Sequence, residues 1–160
     1  MGKKYEIKLK TGDMYRFLMR HTYTSVSGIL SLVLSLLALY LVIVRWNDMD
    51  ETYQALLIIV AAYGPVFQPI WLYNRAKKQM AAPAFAKPIC YQFEEEGVIV
   101  SQDEEEGVIP WTAVRKVVRT KKYIYMYLDK KRCYIYPREQ MQGDADAVAD
   151  YIDAKKGVGR

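Results

Sequence analysis

The sequence has little with which to carry out covalent chemistry. Of its 160 residues one is histidine, His21, and two are cysteines, Cys90 and Cys133, too far apart for a CxxC pair. Every serine except Ser101 falls between Ser25 and Ser35. No Ser/His/Asp or Cys/His set can be assembled from this composition. No P-loop, GxGxxG or zinc-ligand spacing is present either. These absences predict a protein that is not an enzyme and has no catalytic residue, no cofactor and no metal site. The acidic runs Glu94–Glu96 and Asp103–Glu106 are consecutive carboxylates, without the ligand-spacer alternation of a calcium loop, and read as solvated turns.

Charge is missing where it matters most. From Ser25 to Val44, and again from Tyr53 to Tyr73, no residue is charged. A bilayer's hydrocarbon core needs about 20 apolar residues of helix, and each run supplies them. The mean hydropathy of -0.11 averages these runs with a polar remainder. A buried helix of a soluble protein keeps a charged stripe at helical period, and neither run has one. The rest of the chain is also too small to wrap two wholly apolar helices. The sequence therefore predicts transmembrane spans at about 24–44 and 53–73. The first lacks a small-residue cleavage site and reads as a retained anchor.

Lys3, Lys4, Lys8, Lys10, Arg16 and Arg20 precede the first span, and Arg75, Lys77, Lys78 and Lys87 follow the second. The loop between them offers Arg45 against Asp48, Asp50 and Glu51. Basic residues collect on the cytoplasmic side, so both termini are expected inside and the acidic loop outside. Trp46, Tyr53, Trp71 and Tyr73 suit the two interfaces. The net charge of +5 then has a topological cause, and nucleic acid is not an expected partner. On the cytoplasmic side, Cys90 and Cys133 read as reduced thiols.

Residues 3–10 alternate apolar Tyr5, Ile7 and Leu9 with charged neighbours, as a half-buried strand does. Thr11 or Asp13 can cap a short helix that follows. After a basic linker at 75–87, short strands are expected near 89–94, 97–102, 108–119 (bent at Pro110), 122–128 and 132–137. The hexapeptide EEEGVI, at 94–99 and 104–109, reads as two similar hairpin turns. An amphipathic helix with Val148, Tyr151 and Ile152 on one face closes the chain. The expected domains are 1–21 (strand and short helix), 22–74 (membrane hairpin), 75–87 (linker) and 88–160. The fold class is α+β: a transmembrane hairpin inserted into a cytosolic half-barrel of the pleckstrin-homology (PH) type, with a C-terminal helix. Residues 3–10 are expected to join an open edge of the distant sheet, since an isolated strand is unstable in water.

The run from Val108 to Leu128, then Tyr134 to Met141, resembles the YcxB-like C-terminal domain of bacterial membrane proteins. Gly107, Pro110-Trp111, Val114, Val117, Tyr123 and Pro137-Arg138 carry the resemblance, and the opening TGDMYRF, with Asp13 and Phe17, adds to it. The resemblance implies a multi-pass protein of the bacterial inner membrane with a cytosolic PH-like domain. The family has no assigned catalytic residues to transfer.

Three surfaces remain as candidates. Tyr123, Tyr125 and Tyr127, with Tyr134 and Tyr136 in the next strand, suggest an aromatic sheet face, either packed under a helix or docking a protein. Lys121-Lys122 and Lys130-Lys131-Arg132 suggest contact with lipid headgroups. Counting strands, however, places an acidic and a basic turn at each end of the sheet, which weakens a single patch. In the first span Ser27, Gly28, Ser31 and Ser35 suit close helix packing, within the hairpin or in a homo-oligomer. Trp111, Pro110 and Pro137 are expected to be structural. The leading expectation is a non-enzymatic module that holds a protein partner at the inner face of the membrane. The second is an accessory or self-protection subunit linked to export of, or immunity to, a membrane-active peptide.

Overall fold

A computed structural model describes residues 2–129 and 132–156. The basic pair Lys130-Lys131 and the last four residues lie outside the described residues. The protein is α+β, with two sheets and two helices long and apolar enough to cross a membrane. The chain forms two compact units, one of residues 1–13 with 81–160 and one of residues 14–80.

The first unit begins with β1 (Lys4–Ile7), which pairs antiparallel with β2 (Ile89–Phe93), so that Tyr5 lies opposite Tyr91. The sheet continues through β3 (Gly97–Gln102) and β4 (Glu105–Pro110) in the order β1-β2-β3-β4. A second sheet holds β5 (Lys116–Arg119), β6 (Tyr123–Tyr127) and β7 (Cys133–Pro137) in sequence order. Helix α5 (Ala145–Lys155) follows. Tyr5 and Ile7 point into the core with Phe93, Val98, Trp111, Met126 and Ile152, which removes the period-2 apolar face of β1 from water. At the N-cap of α5, Asp144 does not cap its own helix. Its carboxylate accepts from Lys3 Nζ at 2.7 Å and Tyr5 Oη at 3.1 Å, tying the start of the chain to its last helix.

The expected long strand at 108–119 is not continuous. A helical turn at Trp111–Ala113 ends β4, and β5 starts in the other sheet. Trp111 is 3% exposed and donates its indole N–H to the carbonyl of Glu94 at 3.1 Å, so the indole fixes the corner. Gly97 faces Pro110 across the strand pair, where a Cβ would lie 2.3 Å from the Ile109 carbonyl oxygen. The two EEEGVI copies also differ. The first turns at Glu95-Glu96 into β3, whereas Glu105 to Ile109 of the second are strand. The intervening turn is only Asp103-Glu104, with Asp103 at φ 54, a conformation aspartate tolerates. Because the chain changes sheets at Trp111, counting strands no longer fixes which turns share an end, and the argument for balanced acidic and basic turns does not carry over.

Helix α1 (Thr11–Tyr23) crosses the division between the units. Asp13, three residues into it, reaches back to accept from the Lys10 N–H at 2.8 Å, which satisfies a donor at the helix start. In the second unit α2 (Val26–Val44) is capped by Ser25, and α3 (Glu51–Ala62) by Asp50. A π-helical turn at Tyr63–Phe67 joins α3 to α4 (Gln68–Met80). The second long helix thus runs from Glu51 to Met80. It extends beyond the expected span and takes in half of the expected linker.

Candidate functional site

Both prolines of the second long helix break its ladder. Pro65 and Pro69 have no N–H to donate, and their rings crowd the carbonyls of Ala61 and Pro65 four residues earlier. The helix responds by widening to the π-turn, in which Gln68 N–H bonds to Tyr63 rather than to Gly64. Two backbone groups beside the break take hydroxyl partners. One is Gly64 N–H: Ser35 Oγ of α2 accepts from it at 3.0 Å and donates at 3.0 Å to the Val60 carbonyl, which also accepts from Tyr63 N–H. The other is the Gly64 carbonyl, which accepts from Tyr23 Oη at 2.6 Å. Hydroxyls from elsewhere in the unit thus bond to the backbone groups around the break.

Ser35 is 3% exposed, and a Cβ at position 64 would stand 2.7 Å from its Oγ. Only glycine admits the hydroxyl this closely. Ser31 Oγ lies 2.9 Å from the Gly28 carbonyl and 3.0 Å from Gln68 Oε1. Its single proton serves one of them, and rotating the Gln68 amide lets that side chain donate instead. Gly28 is buried and donates to the Ser25 cap at 3.1 Å. Of the four candidate packing residues, Ser31 and Ser35 therefore face the second long helix, whereas Ser27 is exposed and takes no part in this seam.

The five tyrosines do not share a face. Residues directly opposite in an antiparallel pair point the same way. Tyr136 opposes Ile124 and Tyr134 opposes Met126, on the core side, while Tyr123, Tyr125 and Tyr127 share the other side with Ile135 and Cys133. The expectation of one aromatic docking face is corrected on that ground. Tyr136 packs edge-on to Tyr91 with ring centroids 5.0 Å apart, and burial pushes both hydroxyls up in pKa. On the opposite side Tyr123 donates to Asp13 Oδ1 at 2.8 Å and stacks on Tyr125. Tyr123, Tyr125 and Tyr136 are buried, and Tyr127 and Tyr134 are half-buried. Sequence spacing gave the alternation along each strand, but only the register assigns the strands to each other.

The remaining reactive groups stay apart. Cys90 and Cys133 are unpaired and half-buried, in different sheets. Burial pushes the Cys133 thiol up to about 12, against a hydrogen bond with Tyr127 that favours the thiolate. His21 is exposed and stacks on Phe17. Pro110 ends β4, and Pro137 ends β7 opposite Tyr123. Among the described residues, no group of His, Cys, Asp and Glu is arranged to hold a metal ion.

This β-rich unit, with its tryptophan corner and closing helix, is the part of the chain that comparison with known proteins reaches. Residues 93–153 match the YcxB-like protein family. The YcxB-like segment runs from the end of β2 into α5 and leaves out β1 and both long apolar helices. It contains Trp111 and all five tyrosines. No curated protein matches the chain. Sequence reasoning missed the Ser35–Gly64–Tyr23 joint, although Gly64-Pro65 and Pro69 signalled a break in the helix. The break is local, but the hydroxyls that mend it come from 29 and 41 residues away.

Proposed function

We propose that this protein is a non-enzymatic membrane anchor: the two long helices span the bacterial inner membrane as a hairpin, and the YcxB-like unit holds a protein partner at its cytoplasmic face. The observation that carries the reading is the surface of the hairpin. Only 17% of the apolar window of Val26–Val44 and 11% of that of Glu51–Met80 is buried, with Leu36 59% and Ile59 61% exposed. Outside the seam between the two helices, an apolar surface of that extent supports a hydrocarbon solvent. The seam agrees, because its polar groups point inward and satisfy one another. The charge pattern of the flanks orients both ends toward the cytoplasm.

Two sheets of four and three strands closed by one C-terminal helix suit a PH-like half-barrel, a framework for binding rather than for catalysis. Within that framework the half-buried Tyr127 and Tyr134 are the remaining aromatic candidates for partner contact, since Tyr123, Tyr125 and Tyr136 are committed to the interior. The test is crosslinking in native membranes followed by purification of the intact protein in detergent. Under this reading the chain stays in the alkali-resistant membrane fraction, and a protein crosslinks to the β-rich unit. Release into the alkaline supernatant, or protein crosslinks confined to residues 45–50, would contradict it.

A further inference from the structure

The second long helix has 30 residues, about 45 Å at 1.5 Å per residue. Hydrocarbon accounts for about 30 Å of that length, so its last turns stand among the headgroups if the hairpin is membrane-spanning, as proposed above. There the helix has two unlike sides. Leu72 and Ala76 are buried. Trp71, Asn74, Arg75 and Lys78 fall on the other side at spacings of three and four and are all exposed. The Arg75 guanidinium sits over the Trp71 ring, 5.4 Å from its centroid, which holds the cation beside an interfacial indole.

Within residues 14–80 these cations have no acidic neighbour. Every Asp and Glu of residues 14–80 lies in the loop at Asp48, Asp50 and Glu51, at the far end of the hairpin. Among the described residues neither Arg75 nor Lys78 forms an ion pair. On the side toward mid-span, a shallow groove lined by Tyr63, Phe67, Gln68, Ile70 and Trp71 runs down to Asn74. Its upper end is the π-turn. The groove is mostly apolar, with Gln68 the one amide in its upper part, and ends at Asn74, after which Arg75 and Lys78 follow on the exposed side of the same helix.

We propose that this stripe binds an anionic glycerophospholipid: one acyl chain lies along Tyr63, Phe67 and Ile70, and the phosphate-bearing headgroup meets Asn74, Arg75 and Lys78. Charge complementarity selects the occupant. A zwitterionic headgroup offers the same phosphate with a cation attached, and the stripe has no carboxylate to receive that cation. The site is on the hairpin and not on the basic turns of the β-rich unit.

Native mass spectrometry of the intact protein in detergent tests this, with phosphatidylglycerol and phosphatidylcholine of identical acyl chains as probes. Phosphatidylglycerol should bind more tightly. Arg75→Gln and Lys78→Gln should each weaken it about 5-fold, and the double variant should bring it to the level of phosphatidylcholine. Lys116→Gln, an exposed change on β5, serves as the control and should leave binding unchanged. Equal binding of the two lipids, or equal loss in Lys116→Gln, would overturn the proposal. Membrane fractionation of the same variants keeps the two readings apart. Protein that remains membrane-embedded but does not distinguish the lipids refutes the lipid site alone, and protein absent from membranes refutes the anchor.

Discussion

The two units of this chain solve the same problem with opposite surfaces. In the β-rich unit the large side chains are hidden: Tyr5, Phe93, Ile124, Tyr136 and Ile152 are each at most 1% exposed, and charge lies outside in pairs such as Lys87–Asp103. In the hairpin, leucine and isoleucine lie outside, and the buried side chain of α2 that matters is a serine. Water drives the first arrangement, because burying apolar area is what stabilises it. It cannot drive the second, where the outer solvent is proposed to be as apolar as the side chains. What holds the hairpin is close packing and internal satisfaction of polar groups. One composition rule applied to the whole chain would misjudge one half or the other.

The contrast can be attacked at its most sensitive point in each unit. Removing the Trp111 side chain opens a large cavity at the corner between the sheets and frees the Glu94 carbonyl. Trp111→Ala should therefore cost about 3–5 kcal/mol, read as a lowered denaturation midpoint of the intact protein in detergent. A midpoint within error of wild type would show that the indole is not the corner's support. In the hairpin the sensitive change is the addition of a single carbon. Gly64→Ala places a methyl 2.7 Å from Ser35 Oγ, and overpacking of this kind costs about 1–3 kcal/mol. Steric-trap or SDS-unfolding measurements should show the loss. A neutral result would mean that the helices do not approach so closely.

Ser35→Ala probes the polar half of the same joint and should cost about 1 kcal/mol, since Gly64 N–H and the Val60 carbonyl lose their bridge. An exposed hydroxyl, as at Ser27, should cost much less when changed to alanine, and equal effects at both positions would dissolve the seam. The smallest effect is a pH dependence confined to the β-rich unit. Burial raises the Cys133 thiol from 9.0 to about 12 and the Tyr5 hydroxyl from 10.0 to about 12. The unfolded chain gives up these protons first. Their contribution is thus fully present below about pH 9 and is lost as pH rises toward 12. Cys133→Ser should flatten the decline in denaturation midpoint between pH 9 and 10.5, and an unaltered slope would place the cause elsewhere.

How far the sequence reveals this depends on how local each cause is. The uncharged runs and the alternation of Tyr5, Ile7 and Leu9 are local patterns with one physical meaning, and they mark the long helices and β1. The pairing of β1 with β2 follows because an unpaired strand must find a partner, although Ile7 and its partner Ile89 lie 82 positions apart in the chain. The change of sheets at Trp111 was not legible: Pro110 signals a bend, but whether the chain resumes in the same sheet depends on packing beneath the indole. The tyrosines failed for a related reason. Period-2 spacing orders one strand, whereas placing Tyr134 and Tyr136 with Ile124 and Met126 needs the register between β6 and β7. Likewise the prolines announce the π-turn, and only the fold discloses that Ser35 and Tyr23 complete it.

The central claim, a membrane-spanning hairpin with the β-rich unit on the cytoplasmic side, is most directly tested by cysteine accessibility. In a background carrying Cys90→Ser and Cys133→Ser, single cysteines are introduced as Asn47→Cys in the loop and Lys116→Cys on exposed β5. Each is exposed to a membrane-impermeant maleimide in intact and in permeabilised cells. Position 47 should react in intact cells and position 116 only after permeabilisation. Labelling of both positions from outside, or of neither until the membrane is opened, would contradict it.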